Sequence, residues 1–230
     1  MGSLWKTLDR ALLRDVALVC LAVGVIGLSY GAIAVASGFP LWLPVVLGLL
    51  VVAASSEFLF IGIIAAGGSP VAAVIAGLLV NARHLPFGLA VPDVLGRGAW
   101  WFLGTHLMND ETVVFALSQK DTARGRAAYW ACGLGILVCW PIGAAIGGLA
   151  GTVIEDTDAF GLDAMFPAIL LALILPALRG DREKRRAALA GAALALATTP
   201  FLPAGLPVLL ALAGLALTAV GEKAPRKAPR

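Results

Sequence analysis

The sequence predicts an all-α protein, a polytopic transmembrane helical bundle, and three observations carry that reading. Apolar residues make up 60% of the 230 residues and charged residues only 13%, whereas a water-soluble globule carries roughly 25% charged residues to cover its surface. Apolar runs long enough to cross a bilayer recur along the chain. The basic residues fall in a few loops spaced as cytoplasmic loops should be.

A hydrocarbon core of about 30 Å needs about 20 helical residues. The candidate spans are 16–36, 41–66, 70–91, 100–118, 127–152, 160–178, 187–203 and 206–221. That makes about eight, with broken helices expected among them. The last two are short and 100–118 is polar at its centre, so seven spans plus a re-entrant segment is the alternative. Helices are required because lipid offers backbone groups no other partner.

The loops orient the bundle. With the N-terminus inside, cytoplasmic segments hold Lys6, Arg10 and Arg14, then Lys120, Arg124 and Arg126, then Arg179, Arg182, Lys184, Arg185 and Arg186. The last group is Lys223, Arg226, Lys227 and Arg230. Of the 17 basic residues only Arg97 falls outside and Arg83 within a span, an asymmetry that sets both termini in the cytoplasm. The acidic residues Glu155, Asp156, Asp158 and Asp163 go with Asp93 to the opposite side. Counting 100–118 as a crossing separates Arg97 from the basic loop at 119–126. The net charge of +3 is thus a matter of orientation, and no nucleic-acid partner is expected.

Trp42, Trp100, Trp101 and Trp130 lie near span ends, as interfacial anchors do, and Trp140 sits deeper. The Gly-x-x-x-Gly spacings at Gly27/Gly31, Gly143/Gly147 and Gly147/Gly151 predict close helix packing. Cys20, Cys132 and Cys139 lie in apolar runs without CxxC spacing and read as packing residues. Lys6, Arg10 and Arg14 precede an apolar run ending in Ala34-Val35-Ala36, but 16–36 is too long for a signal-peptide core and reads as a span. Residues 1–221 form one transmembrane domain, and the Pro-rich basic stretch 222–230 is a disordered cytoplasmic tail suited to anionic lipid.

Within the spans stand Glu57, Arg83, Asp110 and Glu111, with His84 and His106. A charge at the bilayer centre costs about 2.5–3.5 kcal/mol on insertion scales, so such groups mark a functional cavity by default. In Asn81-Ala82-Arg83-His84-Leu85-Pro86, Pro86 cannot donate a backbone hydrogen bond and crowds the Ala82 carbonyl, so the helix should kink or open there. Gly77, Asn81, His84 and Gly88 recur at helical spacing on one face. His106 and Asp110, four apart, are expected on one face. Asp110 and Glu111 point about 100° apart and need different partners, Arg83 being the candidate for one. Glu57 follows Ser55-Ser56 with no positive charge nearby in sequence, which suits a proton carrier. No phosphate-binding loop, HExxH, paired CxxC or GxSxG motif occurs, so neither ATP hydrolysis nor these enzyme classes are expected, and no cofactor or metal is called for.

Four stretches together resemble the AzlC-type branched-chain amino acid exporters, the azaleucine-resistance family. They are Ala53-Ala54-Ser55-Ser56-Glu57-Phe58, Leu79-Val80-Asn81-Ala82-Arg83-His84, Met108-Asn109-Asp110-Glu111-Thr112 and Gly161-Leu162-Asp163-Ala164-Met165-Phe166-Pro167. The likeness runs from about residue 16 to 178 and departs at Glu57, where the family commonly has Gln. The resemblance implies export of valine, leucine, isoleucine or methionine across the inner membrane, driven by the proton gradient, with a small AzlD-type membrane subunit as partner. On that reading Asn81, Arg83, Asp110 and Glu111, with Phe58 and Phe87 as apolar walls, bind the substrate, and Glu57 or His84 carries the coupling proton.

Overall fold

The computed structural model describes residues 8–153, 171, 175, 178–203 and 205–215. The stretch 161–167, most of the 160–178 segment, the end of the 206–221 segment, the four acidic residues at 155–163, Lys6 and the 222–230 tail lie outside the described residues. All regular elements among the described residues are helical.

Two long helices form the frame. Helix α1 runs Arg10–Ala36, and the Asp9 carboxylate caps it by accepting from the Leu12 N–H at 2.8 Å. The eighth helix, α8, runs Thr122–Gly151 without a break across Pro141, capped by Asp121 accepting from the Arg124 N–H. The two lie parallel. Asp9 pairs with Arg124 at their starts, Gly24 and Gly27 meet Gly143 midway, and Ala32 meets Gly151 at their ends. A Cβ on Gly147 would lie 1.8 Å from the Leu28 carbonyl oxygen, so only glycine permits this approach. The Gly-x-x-x-Gly expectation is thereby met. Leu18, Leu21 and Val25 on α1 and Val138, Ile142 and Ile146 on α8 are exposed, apolar faces that suit hydrocarbon.

Three of the expected spans are interrupted. The 41–66 segment divides into α2 (Trp42–Leu50) and α3 (Ala54–Ala65), the 70–91 segment into α4 (Pro70–Asn81) and α5 (His84–Ala90), and the 100–118 segment into α6 (Ala99–His106) and α7 (Asp110–Leu117). Among the described residues, the helices long and apolar enough to cross a membrane are Arg10–Ala36, Pro70–Ala90 and Thr122–Gly151, and the expected broken helices are present.

The 100–118 segment also runs differently from expectation. The Arg126 guanidinium donates to the Asp93 carbonyl and Trp130 Nε1 to that of Val94, at 2.9 Å. Gln119 accepts from Arg124 Nε at 2.8 Å. Both flanks of α6–α7 therefore lie against the first turns of α8, while Leu107, between the two helices, packs on Gly133. Asp93 and Arg97 thus belong to a loop at the end of α8 that carries Arg124, and α6–α7 does not separate Arg97 from that basic loop. Trp130, expected as an interfacial anchor, is 7% exposed in the cluster of Val94, Leu107, Val113 and Tyr129.

These elements, residues 8–58 and 78–153, make one compact unit. Residues 59–77 with the described part of 164–230 make another. In it, Ile63, Ala73 and Ala76 pack with Leu59, Phe60 and Leu209. Its helix α9 (Arg182–Thr198) is capped by Asp181, and α10 (Leu206–Leu210) leads into a 3-10 turn, Ala211–Leu215. A Cβ on Gly191 would lie 2.5 Å from the Ala211 carbonyl oxygen, so the glycine lets these segments touch by backbone.

Candidate functional site

Each of the charged clusters sits at one of the three helix breaks. At the break between α4 and α5, Pro86 leaves the Ala82 carbonyl without its i+4 partner, and that oxygen accepts from the Leu85 N–H at 3.1 Å instead. The carbonyls freed beside it are taken by side chains. Arg83 Nη1 donates to the Val80 carbonyl at 3.2 Å, and His84 Nδ1 lies 2.9 Å from that of Asn81. The helix opens there as expected, and the stripe Gly77, Asn81, His84, Gly88 is divided by the break.

The contact with a carbonyl fixes the His84 tautomer, because a carbonyl oxygen only accepts. Nδ1 carries the proton and Nε2 keeps a free lone pair. Nε2 is buried without a hydrogen-bond partner, as is Asn81 Oδ1. The His84 ring meets Phe87 edge-on, centroids 5.8 Å apart.

At the break between α6 and α7, Leu107, Met108 and Asn109 are all buried, so this linker is not a solvated loop. Asn109 caps α7 by accepting from the Thr112 N–H at 2.9 Å, and the Thr112 hydroxyl accepts from the Asn109 N–H at 2.9 Å. The reciprocal box turns Asp110 outward. Its Oδ2 accepts from Arg83 Nε at 3.0 Å, and Arg83 Nη2 lies 2.9 Å from the same oxygen in an ion pair. The pair is not dry, Arg83 being 27% and Asp110 49% exposed. Glu111, the next residue, forms no ion pair among the described residues. The sequence asked which carboxylate Arg83 takes, and Asp110 is the answer. His106 does not share a helix face with Asp110, because the chain breaks between them. His106 Nε2 donates instead to the Leu49 carbonyl at 2.8 Å.

The break between α2 and α3 was not expected. Val52 there adopts φ +53°, the left-handed conformation that ends a helix and that a β-branched residue adopts only under constraint. Glu57 supplies the constraint. Its Oε1 accepts from the Ala53 N–H at 3.0 Å and its Oε2 from Trp140 Nε1 at 3.1 Å, with the carboxylate 2% exposed. The Ser56 hydroxyl donates to the Ala53 carbonyl at 2.8 Å. Tyr30 stacks on Trp140 with centroids 5.1 Å apart, and Phe58 meets Tyr30 edge-on at 5.1 Å. Sequence reasoning missed Tyr30 and Trp140 as partners of Glu57. The legible signal was Ser55-Ser56-Glu57, a helix-start pattern inside an apolar run.

Fold and site define a helical membrane protein whose charged side chains are carried at breaks in its helices. It belongs to the AzlC family, whose model, described as AzlC protein, matches residues 18–154. Among its relatives, the branched-chain amino acid transport protein AzlC of Bacillus subtilis is 26% identical over 83% of this chain and 76% of its own length. An uncharacterized membrane protein of Archaeoglobus fulgidus is 30% identical over 75% of this chain and 76% of its own. One from Haemophilus influenzae is 27% identical over 63% of this chain, and the match spans only 62% of that relative's length. No solved structure matches the chain.

Proposed function

We propose that the chain is the large subunit of an inner-membrane exporter of branched-chain amino acids, working with a small AzlD-type membrane subunit and not as an enzyme. The observation that carries this is the Arg83–Asp110 pair at two facing helix breaks. A zwitterionic amino acid can enter such a pair without adding net charge to the bilayer interior. Its carboxylate replaces Asp110 on Arg83, and its ammonium group replaces Arg83 on Asp110. The exchange keeps every charge paired, which matters where an unpaired one costs several kcal/mol. Asn81 Oδ1, without a partner, can accept a further ammonium hydrogen bond. Glu111 adds a second negative charge beside the pair, and Phe58 and Phe87 supply apolar surface for a branched side chain.

The coupling proton is assigned to His84 or Glu57. The free Nε2 lone pair favours His84, since both Glu57 oxygens already accept hydrogen bonds. The bundle is read as one transport domain, 1–221, of eight membrane-embedded segments with both termini cytoplasmic and 222–230 as a tail.

Counterflow of labelled leucine and valine in vesicles, with and without the co-purified small subunit, tests the reading. Counterflow that Arg83→Ala and Asp110→Asn abolish at normal membrane levels is the expected result. Undiminished flux in both variants would remove the proposed site, and movement of some other solute in place of amino acids would overturn the substrate class.

A further inference from the structure

The contacts along α8 constrain which segments cross the membrane. Helices α1 and α8 are parallel and each is long enough to cross. The Asp9–Arg124 pair puts their starts at one face, and the Ala32–Gly151 approach puts their ends at the other. Asp93 and Val94 are bound to Arg126 and Trp130, near the start of α8. Loop 91–98 therefore lies at the face where α1 begins, and Ala36 lies at the opposite face.

An odd number of crossings must then separate Ala36 from Val91. Only two segments lie between them, 42–65 and 70–90. One crosses and the other turns back to the face it came from.

Backbone conformation tells them apart. At the junction of α4 and α5, Arg83 stays right-handed at φ −59°, ψ −22°, and the turn closes through the Leu85 to Ala82 hydrogen bond. The chain keeps its direction, and Pro70–Ala90 counts 21 residues, enough for about 30 Å. At the junction of α2 and α3, Val52 is left-handed, which terminates a helix and redirects the chain. Helix α2 has 9 residues and α3 has 12, about 14 and 18 Å of helix, so each reaches only part-way into the core.

The same accounting applies to α6–α7. It leaves from loop 91–98 and returns to Gln119 beside Arg124, at the same face. Its tip ends in His106, which donates to the Leu49 carbonyl in the last turn of α2.

We propose that α2–α3 and α6–α7 are re-entrant hairpins entering from opposite membrane faces and meeting tip to tip through the His106–Leu49 hydrogen bond, and that parting these tips opens the passage. The hairpin arrangement follows from contacts, parity and backbone conformation. Only the gating role rests on the transport reading. Each hairpin closes the path from its own face, and the Arg83–Asp110 pair sits where α6–α7 turns back. Irregular backbone is tolerated at this depth because it is buried in protein or lines a watery cavity.

Two arms test this. In a background with Cys20, Cys132 and Cys139 replaced by alanine, single cysteines are placed at Ser37, Ala66, Pro92 and Lys120, all exposed. An impermeant maleimide applied to intact cells should label Ser37→Cys and Ala66→Cys, and should reach Pro92→Cys and Lys120→Cys only after permeabilisation. Labelling of Ser37→Cys and Ala66→Cys from different sides, or of Pro92→Cys and Lys120→Cys from different sides, overturns the hairpins.

In the second arm, Leu49→Cys and His106→Cys in one chain are joined by a short linker containing a reducible disulfide. Counterflow should fall at least tenfold on linking and recover on reduction. Full flux with the linker in place overturns the gating role while the labelling arm still decides the hairpins. Absence of counterflow in the unmodified protein would instead sink the transport reading and leave the hairpins standing.

Discussion

Glu57 and Trp140, 83 residues apart in sequence, are joined by a 3.1 Å hydrogen bond from the indole N–H to Oε2. The same carboxylate holds the Ala53 N–H, so one buried side chain ties the start of α3 to the middle of α8. Replacing Trp140 by Phe keeps the stack on Tyr30 and removes only the donor. An acceptor left unsatisfied in this site costs about 1–3 kcal/mol. Thermal unfolding in detergent should show a lowered midpoint for Trp140→Phe, and an unchanged one would mean the bond contributes nothing.

Glu57→Gln separates structure from proton transfer. The amide retains one acceptor oxygen but presents a donor to Ala53 N–H or Trp140, so stability should fall by about 1 kcal/mol. Where His84 carries the proton, Glu57→Gln keeps flux that responds to a pH gradient, while His84→Gln loses that response. Flux in vesicles under imposed gradients reads both, and a gradient response lost only in Glu57→Gln would reassign the role to Glu57.

Arg83→Lys keeps the charge but loses the planar guanidinium that sets Nε and Nη2 on one Asp110 oxygen. Counterflow should fall about tenfold or more, a loss of at least about 1.4 kcal/mol in transition-state terms. The exchange Arg83→Asp with Asp110→Arg should recover part of the loss that either single change produces. Equal and additive losses across the cycle would show that the two residues act independently.

Gly147→Val inserts atoms where α1 and α8 touch by backbone, with the Leu28 carbonyl oxygen 1.8 Å from the added Cβ. The helices must separate, at a cost of about 1–3 kcal/mol or more. Purified protein should lose its monodisperse peak in size-exclusion chromatography at temperatures the parent survives. Gly38→Ala, on an exposed turn with open space around it, should be much milder and is limited only by its positive φ.

Acid dependence should appear at the α1–α8 entrance. The Leu12 backbone N–H, followed by the Arg124 guanidinium, holds the Asp9 carboxyl below its ordinary value of 3.8. A carboxylate lowered on folding stabilises the fold above its unfolded value, and that contribution is lost as pH falls through the folded value. The unfolding midpoints of the parent and Asp9→Asn should therefore differ at neutral pH and converge below 3.8. A difference that persists in stronger acid would locate the effect elsewhere.

Composition and charge placement by themselves determined that this chain is a helical membrane protein, since too few polar groups exist to face water. The helix break before Pro86 was legible because a missing N–H and a crowded carbonyl act within four residues. So was the α1–α8 seam, because Gly-x-x-x-Gly spacing is local to each helix. The sequence named Arg83, Asp110 and Glu111 but not which carboxylate takes the arginine, because the buried capping box that aims Asp110 depends on tertiary contacts. The reversal at Val52 contains no Gly or Pro, and its cause, a carboxylate held by an indole 83 residues away, has no local signature. Hydropathy measures how apolar a segment is and not where its far end goes. The return of α6–α7 to the face it left was therefore decided by Arg126, Trp130 and Arg124 on another helix.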